Sequence, residues 1–115
     1  MIVAMLLVGI GGAIGSALRY RVSMMFPVAG IPAGTLTVNT LGSFVLSLLS
    51  FSGVAGGLYD LICIGLLGGF TTFSSFGYET FRMIEERDHY TALANIVLNV
   101  ACSLIGVYAG YIILA

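Results

Sequence analysis

The chain has 115 residues, of which 59 % are hydrophobic and 8 % are charged, and its formal net charge is −1. Because soluble domains carry about 25 % charged residues, this composition excludes an ordinary water-soluble surface and predicts a protein that lies in membrane lipid. The four basic residues are all arginines, set against five acids, which excludes the basic patch that nucleic-acid binding requires.

Runs without charge divide the chain into four predicted membrane-spanning helices, at about residues 3–25, 33–52, 57–83 and 90–114. Each helix is close in length to the ~20 residues that an α-helix needs to cross the hydrocarbon core of a bilayer. Pro27, Gly30, Pro32 and Gly34 mark the break between the first two helices. We therefore expect a single four-helix transmembrane domain over residues 1–115. The first apolar segment is predicted to be a retained helix, because no basic residue precedes it as a cleavable leader requires.

Three pairs of glycines recur at the four-residue spacing that lets membrane helices pack backbone against backbone. The pairs are Gly11 with Gly15, Gly65 with Gly69, and Gly106 with Gly110. They predict crowded helices and carry no information about a substrate. Two cysteines, Cys63 and Cys102, each lie within an apolar run and are expected to be small packing residues.

The second predicted helix places several hydroxyl side chains around a single amide, that of Asn39. An amide at this depth either cross-links helices or binds a ligand. For Asn39 taken alone the first interpretation is favoured, because asparagine hydrogen-bonds across membrane helices.

The third predicted helix contains a run without charge, residues 61–78, yet the middle of that run holds two glycines followed by aromatic and hydroxyl residues. Polar or irregular backbone at bilayer depth occurs only where protein or a water-filled cavity surrounds it, so this segment indicates function. The spacing of Phe70, Phe73 and Phe76 predicts one helical face. Because the edge of an aromatic ring is electropositive, such a face attracts a small anion, and the flanking hydroxyls favour a lined passage.

The fourth predicted helix carries a polar stripe, because Asn95, Asn99 and Ser103 follow one another at four-residue intervals. One such residue would be explained as a cross-link between helices, worth roughly 0.6–2 kcal/mol. Three in line extend over about 12 Å, which favours a wetted track along the helix.

The run from Gly68 to Phe76, GGFTTFSSF, resembles the third-helix signature of the Fluc/CrcB fluoride channels. Two weaker matches precede it. Gly11-Gly12 and Gly15, followed by Arg19-Tyr20, are similar to the first helix of that family, and Gly34-Thr35-Leu36, Val38-Asn39 and Gly42-Ser43-Phe44 are similar to its second. The resemblance covers nearly the whole chain, in order.

This resemblance implies a fluoride-selective channel for passive fluoride export across the cell membrane, which relieves fluoride toxicity. The implied fold is all-α, with four transmembrane helices, the third broken near its middle, in an antiparallel (dual-topology) dimer with two pores. The implied pore residues are Asn39, Phe73, Phe76, Ser74, Ser75, Asn95, Asn99 and Ser103. Arg19 is implied near the vestibule, and the carbonyls of Gly68 and Thr71 are implied as ligands of a structural sodium ion at the dimer centre.

Other classes of protein fit less well. A small multidrug transporter also has about four helices, but proton-coupled export needs a carboxylate within the membrane, and the first acid, Asp60, falls in a predicted loop. A subunit that only assembles helices leaves the phenylalanine–hydroxyl repeat unexplained. An enzyme is not expected, because the single histidine, His89, lies in the charged loop and no nucleophile–base pair is apparent.

Glu79 is close enough to the run from Gly68 to Phe76 to face a vestibule.

All four arginines, Arg19, Arg21, Arg82 and Arg87, fall on one side of the predicted bundle, which by the positive-inside rule favours a single orientation. If Arg19 and Arg82 lie within their helices, only two arginines remain in loops to favour one orientation. A homodimer of oppositely inserted copies is then predicted. The alternative is a heterodimer with an oppositely oriented homologue.

Overall fold

The computed structural model describes residues 1–114 and consists of helices joined by short turns. We number them α1 (Ile2–Val22), α2 (Ala33–Phe51), α3 (residues 56–70), α4 (Phe73–Glu85) and α5 (His89–Leu114). Four stretches are long and apolar enough to cross a membrane, because α3 and α4 together form one span, Gly56–Glu85. The predicted number of spans is therefore confirmed. Over residues 1–114, β-structure is limited to one bridge between Val28 and Ile31.

The first helix is shorter than predicted, because the chain tightens into turns after Val22. The N–H of Met25 bonds only three residues back, to the Val22 carbonyl at 3.1 Å, and Pro27 follows. The loop then reverses through Ala29 and Gly30, whose φ angles are 54° and 82°. This positive-φ pair is the backbone that a tight two-residue turn requires.

The third span is broken near its middle, as predicted. Thr71 and Thr72 have extended backbone (φ −82°, ψ 156° and φ −149°, ψ 121°). Thr72 is the N-cap of α4, and its Oγ1 accepts the N–H of Ser75 at 3.1 Å. A threonine that caps in this way satisfies one of the N–H groups that a new helix leaves without a partner.

The break corrects the prediction that three phenylalanines share one helical face. Phe70 is the last residue of α3 and is buried, whereas Phe73 and Phe76 lie on α4. Because two extended residues separate the helices, the three-residue spacing places only Phe73 and Phe76 on the same helix.

The first half of the third span contains a π-helix, Tyr59–Leu66, that the sequence pattern did not predict. This helix includes Asp60, so the expectation that Asp60 falls in a loop is wrong. The carbonyls of the π-helix face α1 at two glycines. A Cβ atom on Gly11 would lie 2.0 Å from the Leu61 oxygen, and one on Gly15 would lie 1.9 Å from the Leu66 oxygen. The prediction of backbone-to-backbone packing by the first glycine pair is therefore confirmed.

A second close contact joins α2 to α5, which run parallel. A Cβ atom on Gly106 would lie 3.0 Å from the Thr40 oxygen, and one on Gly110 would lie 2.7 Å from the Ser47 side chain. Ser47 is buried and donates to the Val107 carbonyl at 2.7 Å. These glycines bring the two polar helix faces together beside the break in the third span.

Candidate functional site

A cavity of about 380 Å³ lies beside the break and is lined from α2, α3, α4 and α5. Seven of the residues selected from the sequence line it: Asn39, Gly68, Thr71, Phe73, Phe76, Asn99 and Ser103. Arg19, Ser74, Ser75 and Asn95 lie outside it. Within the described part of the chain, all of the lining side chains are uncharged, so they offer hydrogen-bond donors and aromatic rings without a formal charge.

Asn39 holds the break through both atoms of its amide group. The Thr72 N–H donates to Asn39 Oδ1 at 2.8 Å, and Asn39 Nδ2 donates to the Thr72 carbonyl at 2.9 Å. In a continuous α-helix this N–H would bond to the Gly68 carbonyl, four residues back. The Asn39 amide therefore replaces helical hydrogen bonding at the break.

From Asn39 a chain of amides crosses to α5 and ends on α4. Asn39 Nδ2 donates to Asn99 Oδ1 at 3.3 Å, and Asn99 Nδ2 donates to Asn95 Oδ1 at 3.1 Å. Asn95 Nδ2 donates to Thr80 Oγ1 at 2.9 Å. Asn95 is 1 % exposed, so in this chain it joins helices and does not open onto the cavity, whereas Asn99 does both.

Two aromatic rings project at the start of α4. The ring centroids of Phe73 and Phe76 are 5.8 Å apart with planes at 63°, an edge-to-face arrangement. Phe73 is 82 % exposed although it lies in the middle of a membrane span. Both rings line the cavity, and a ring edge is the electropositive part of the side chain.

The serines that follow Phe73 are separated from this cavity. Ser74 is exposed, and its Oγ lies 3.2 Å from Thr72 Oγ1. Ser75 is half-buried and lines a second cavity, of about 160 Å³, together with Thr72 and Arg19. Arg19 lies within α1 and is half-buried, so one charged group faces this second cavity from the end of the bundle that carries the arginines.

An acid lies at the same end. Glu79 is half-buried on α4, and Thr35 Oγ1 donates to its Oε1 at 2.6 Å. Glu79 lines a third cavity, of about 480 Å³, with Ser75. That this cavity is a vestibule stays a prediction.

The two carbonyls selected as sodium ligands lose their helical partners at the break. The Thr72 N–H, which a continuous helix would direct to Gly68, donates to Asn39. The Ser75 N–H, which a continuous helix would direct to Thr71, donates to the Thr72 hydroxyl. Carbonyl oxygens freed at helix breaks commonly coordinate monovalent cations, so this donor set fits a sodium ion.

Two polar residues line the cavity without having been selected from the sequence, Ser43 and Thr72. Ser43 follows Asn39 by four residues on α2, and this spacing alone places both side chains on one helix face. Thr72 was part of the recognised motif, but its role as the N-cap becomes apparent only once the position of the break is known.

The chain matches the family described as CrcB-like protein, Camphor Resistance (CrcB), over residues 6–111. It is 51 % identical over 110 residues to fluoride-specific ion channel FluC 1 of Methanosarcina barkeri, covering 95 % of each chain. It is 50 % identical over 109 residues to FluC 3 of Methanosarcina acetivorans, covering 94 % of this chain and 98 % of the relative. A third relative, FluC of Methanocaldococcus jannaschii, is 43 % identical over 118 residues, covering 98 % and 95 %.

Proposed function

Since the chain belongs to the CrcB-like family, whose curated relatives are fluoride-specific ion channels, we propose that it is a fluoride channel whose ion path runs through the cavity at the helix break. The observation that carries this proposal is the convergence of two aromatic rings, two amides and several hydroxyls on an uncharged cavity in the middle of membrane-spanning helices. A channel conducts passively, so the proposed path lets fluoride follow its own electrochemical gradient.

The chemistry of the cavity suits fluoride. Fluoride is small and strongly hydrated, so a pore must replace its water with hydrogen-bond donors or positive ring edges, yet bind weakly enough to release it. Neutral donors meet both requirements better than a buried arginine, which would hold the anion. Fluoride enters cells as the neutral weak acid and ionises inside, so a passive channel in the cell membrane exports it and relieves toxicity.

The path proposed for fluoride passes Asn39, Phe73, Phe76, Asn99 and Ser103. Arg19 and Ser75 lie at its entrance, where a single positive charge concentrates anions without trapping them in the span. Asn95 and Ser74 act on the path through their hydrogen bonds to Thr80 and Thr72.

The rings give the most direct test of the function. Phe73→Ile and Phe76→Ile each remove an electropositive ring edge and keep an apolar side chain, so each is expected to lower fluoride flux by at least about tenfold, as loss of one favourable contact with a desolvated charge predicts. Flux is measured with a fluoride electrode on proteoliposomes. Phe81→Ile, an exposed ring on α4 that lines none of the three cavities described above, is the control and keeps its flux. Wild-type flux in both variants at positions 73 and 76 excludes the rings from the path.

A second copy in the opposite orientation completes this site. Support comes from Phe73, a ring left 82 % exposed beside the cavity at the middle of a span, and from Gly68, which is exposed at the same level. An antiparallel dimer covers both and forms two pores related by symmetry.

In that dimer the freed carbonyls of Gly68 and Thr71 from both copies would hold one sodium ion, which would supply a positive charge to stabilise the breaks. Its removal is expected to destabilise the dimer. Purification in N-methylglucamine instead of sodium should therefore lower the melting temperature and favour monomers in size-exclusion chromatography, and added sodium should reverse both changes. Equal stability in the two buffers refutes a structural sodium ion.

Orientation is the part of this proposal that the arginines oppose. Arg19 lies within α1 and is half-buried, and Arg82 lies within α4 in an ion pair with Glu86 at 3.1 Å. The remaining bias comes from two exposed arginines, Arg21 in the last turn of α1 and Arg87 in the turn after α4. We expect both orientations. A single cysteine at the N-terminus, in a chain lacking Cys63 and Cys102, should be labelled from both sides of intact cells. Labelling from one side only, with no flux from the purified chain, would indicate a heterodimer with a homologue.

A further inference from the structure

Two hydrogen bonds fix the register between α2 and α5. Asn39 Nδ2 donates to Asn99 Oδ1 at 3.3 Å, and Ser47 Oγ donates to the Val107 carbonyl at 2.7 Å. Each bond joins residues that are 60 apart in sequence. Because the helices run parallel and both bonds have the same offset, residues one turn beyond Asn39 and Asn99 on their own helices are level with each other.

The pair midway between these bonds is Ser43 with Ser103, again 60 residues apart. Each lies one turn, about 6 Å, beyond the amide that precedes it on its own helix. Both serines are half-buried and both line the cavity of about 380 Å³. Among residues 1–114, neither hydroxyl has a hydrogen-bond partner, although the polar pairs on either side of them are bonded.

An unbonded hydroxyl facing a cavity in a membrane span is costly unless something else accepts its proton. Leu46 and Val100 line the same cavity, and their side chains offer no acceptor. Each serine supplies one O–H donor, so the pair presents two donors, one from α2 and one from α5. The cavity volume is ample for a small ion with some of its water.

We propose that Ser43 and Ser103 form a two-hydroxyl binding subsite for a small, strongly hydrated anion, one helical turn beyond Asn39 along α2 and α5. The proposal rests on the proposed fluoride function. An anion that passes this point accepts a hydrogen bond from Ser43 as well as from Ser103. The hydrogen-bonded pairs on either side, Asn39 with Asn99 and Ser47 with Val107, keep the two serines level with each other.

The test is fluoride flux in proteoliposomes containing Ser43→Ala, Ser103→Ala or both. Removing one donor to an anion should lower flux about tenfold. Because the two hydroxyls act on the same ion, the double variant should lose much less than the product of the two single losses. Ser50→Ala, on the same helix with an exposed side chain, is the matched control and should conduct like the wild type. Melting temperatures of the purified variants accompany each measurement.

The outcomes separate this subsite from the function on which it rests. If the wild type itself conducts no fluoride, the proposed function and the subsite are both wrong. If the wild type conducts and Ser43→Ala conducts equally well, the subsite alone is overturned. It is also overturned if Ser43→Ala loses flux only together with a lower melting temperature, as Ser47→Ala is expected to do, because the role is then structural. Losses that multiply in the double variant would mean that the two hydroxyls do not share an ion.

Discussion

Replacing Asn39 by Asp or by Leu is expected to lower fluoride flux by at least about a hundredfold. Each variant leaves at least two polar groups at the break without hydrogen-bond partners, and each such group costs about 1–3 kcal/mol. In Asn39→Asp one carboxylate oxygen still accepts the Thr72 N–H. The other replaces Nδ2, so it faces the Thr72 carbonyl and Asn99 Oδ1, both of which accept hydrogen bonds in the native chain. The variant also places a negative charge on the anion path. Asn39→Leu removes all three hydrogen bonds.

The measurement is flux in proteoliposomes, accompanied by the melting temperature of each purified variant. Ser50→Leu makes a comparable change on α2 at an exposed position and is expected to leave both quantities near their wild-type values. If both variants at position 39 conduct normally, Asn39 serves only as a cross-link between helices, and the path does not depend on its amide.

Gly15→Ala is expected to destabilise the chain by about 3 kcal/mol or more, at or beyond the upper end of the usual cost of over-packing. The added Cβ would lie 1.9 Å from the Leu66 carbonyl oxygen and 3.0 Å from the Phe70 nitrogen. Both are backbone atoms, so the contact cannot be relieved by a rotamer change, and α1 must separate from the π-helix. The variant should give little folded protein in size-exclusion chromatography and should melt at a lower temperature.

Gly9→Ala on the same helix is the matched control. No atom lies within 4 Å of a Cβ added at Gly9, and alanine has the better helix propensity by about 1 kcal/mol. The control should therefore be at least as stable as the wild type. A stable, conducting Gly15→Ala protein would contradict the close packing of α1 on Tyr59–Leu66.

Much of the site was predictable because membrane burial makes polar residues conspicuous. Asn99 and Ser103 are identified as polar groups in an apolar run, whereas the pore role of Asn39 comes from the family resemblance; all three line the cavity. Asn95 satisfied the same criterion, but it is 1 % exposed and bonded to Thr80. The four-residue spacing identifies a helix face, but it does not specify whether that face meets a cavity or another helix.

The sequence by itself determined the membrane class, the four spans, the break in the third span and the resemblance to a fluoride channel, because each depends on composition or on local order along the chain. The tertiary structure alone decided which polar groups are free to bind an ion. The hydrogen bonds between Asn39 and Thr72, and the offset that brings Ser43 level with Ser103, arise from contacts between residues 33 to 60 apart in sequence. The π-helix packs closely on α1. Hydrogen bonds at such separations are invisible to any local pattern, yet they decide which donors remain for fluoride.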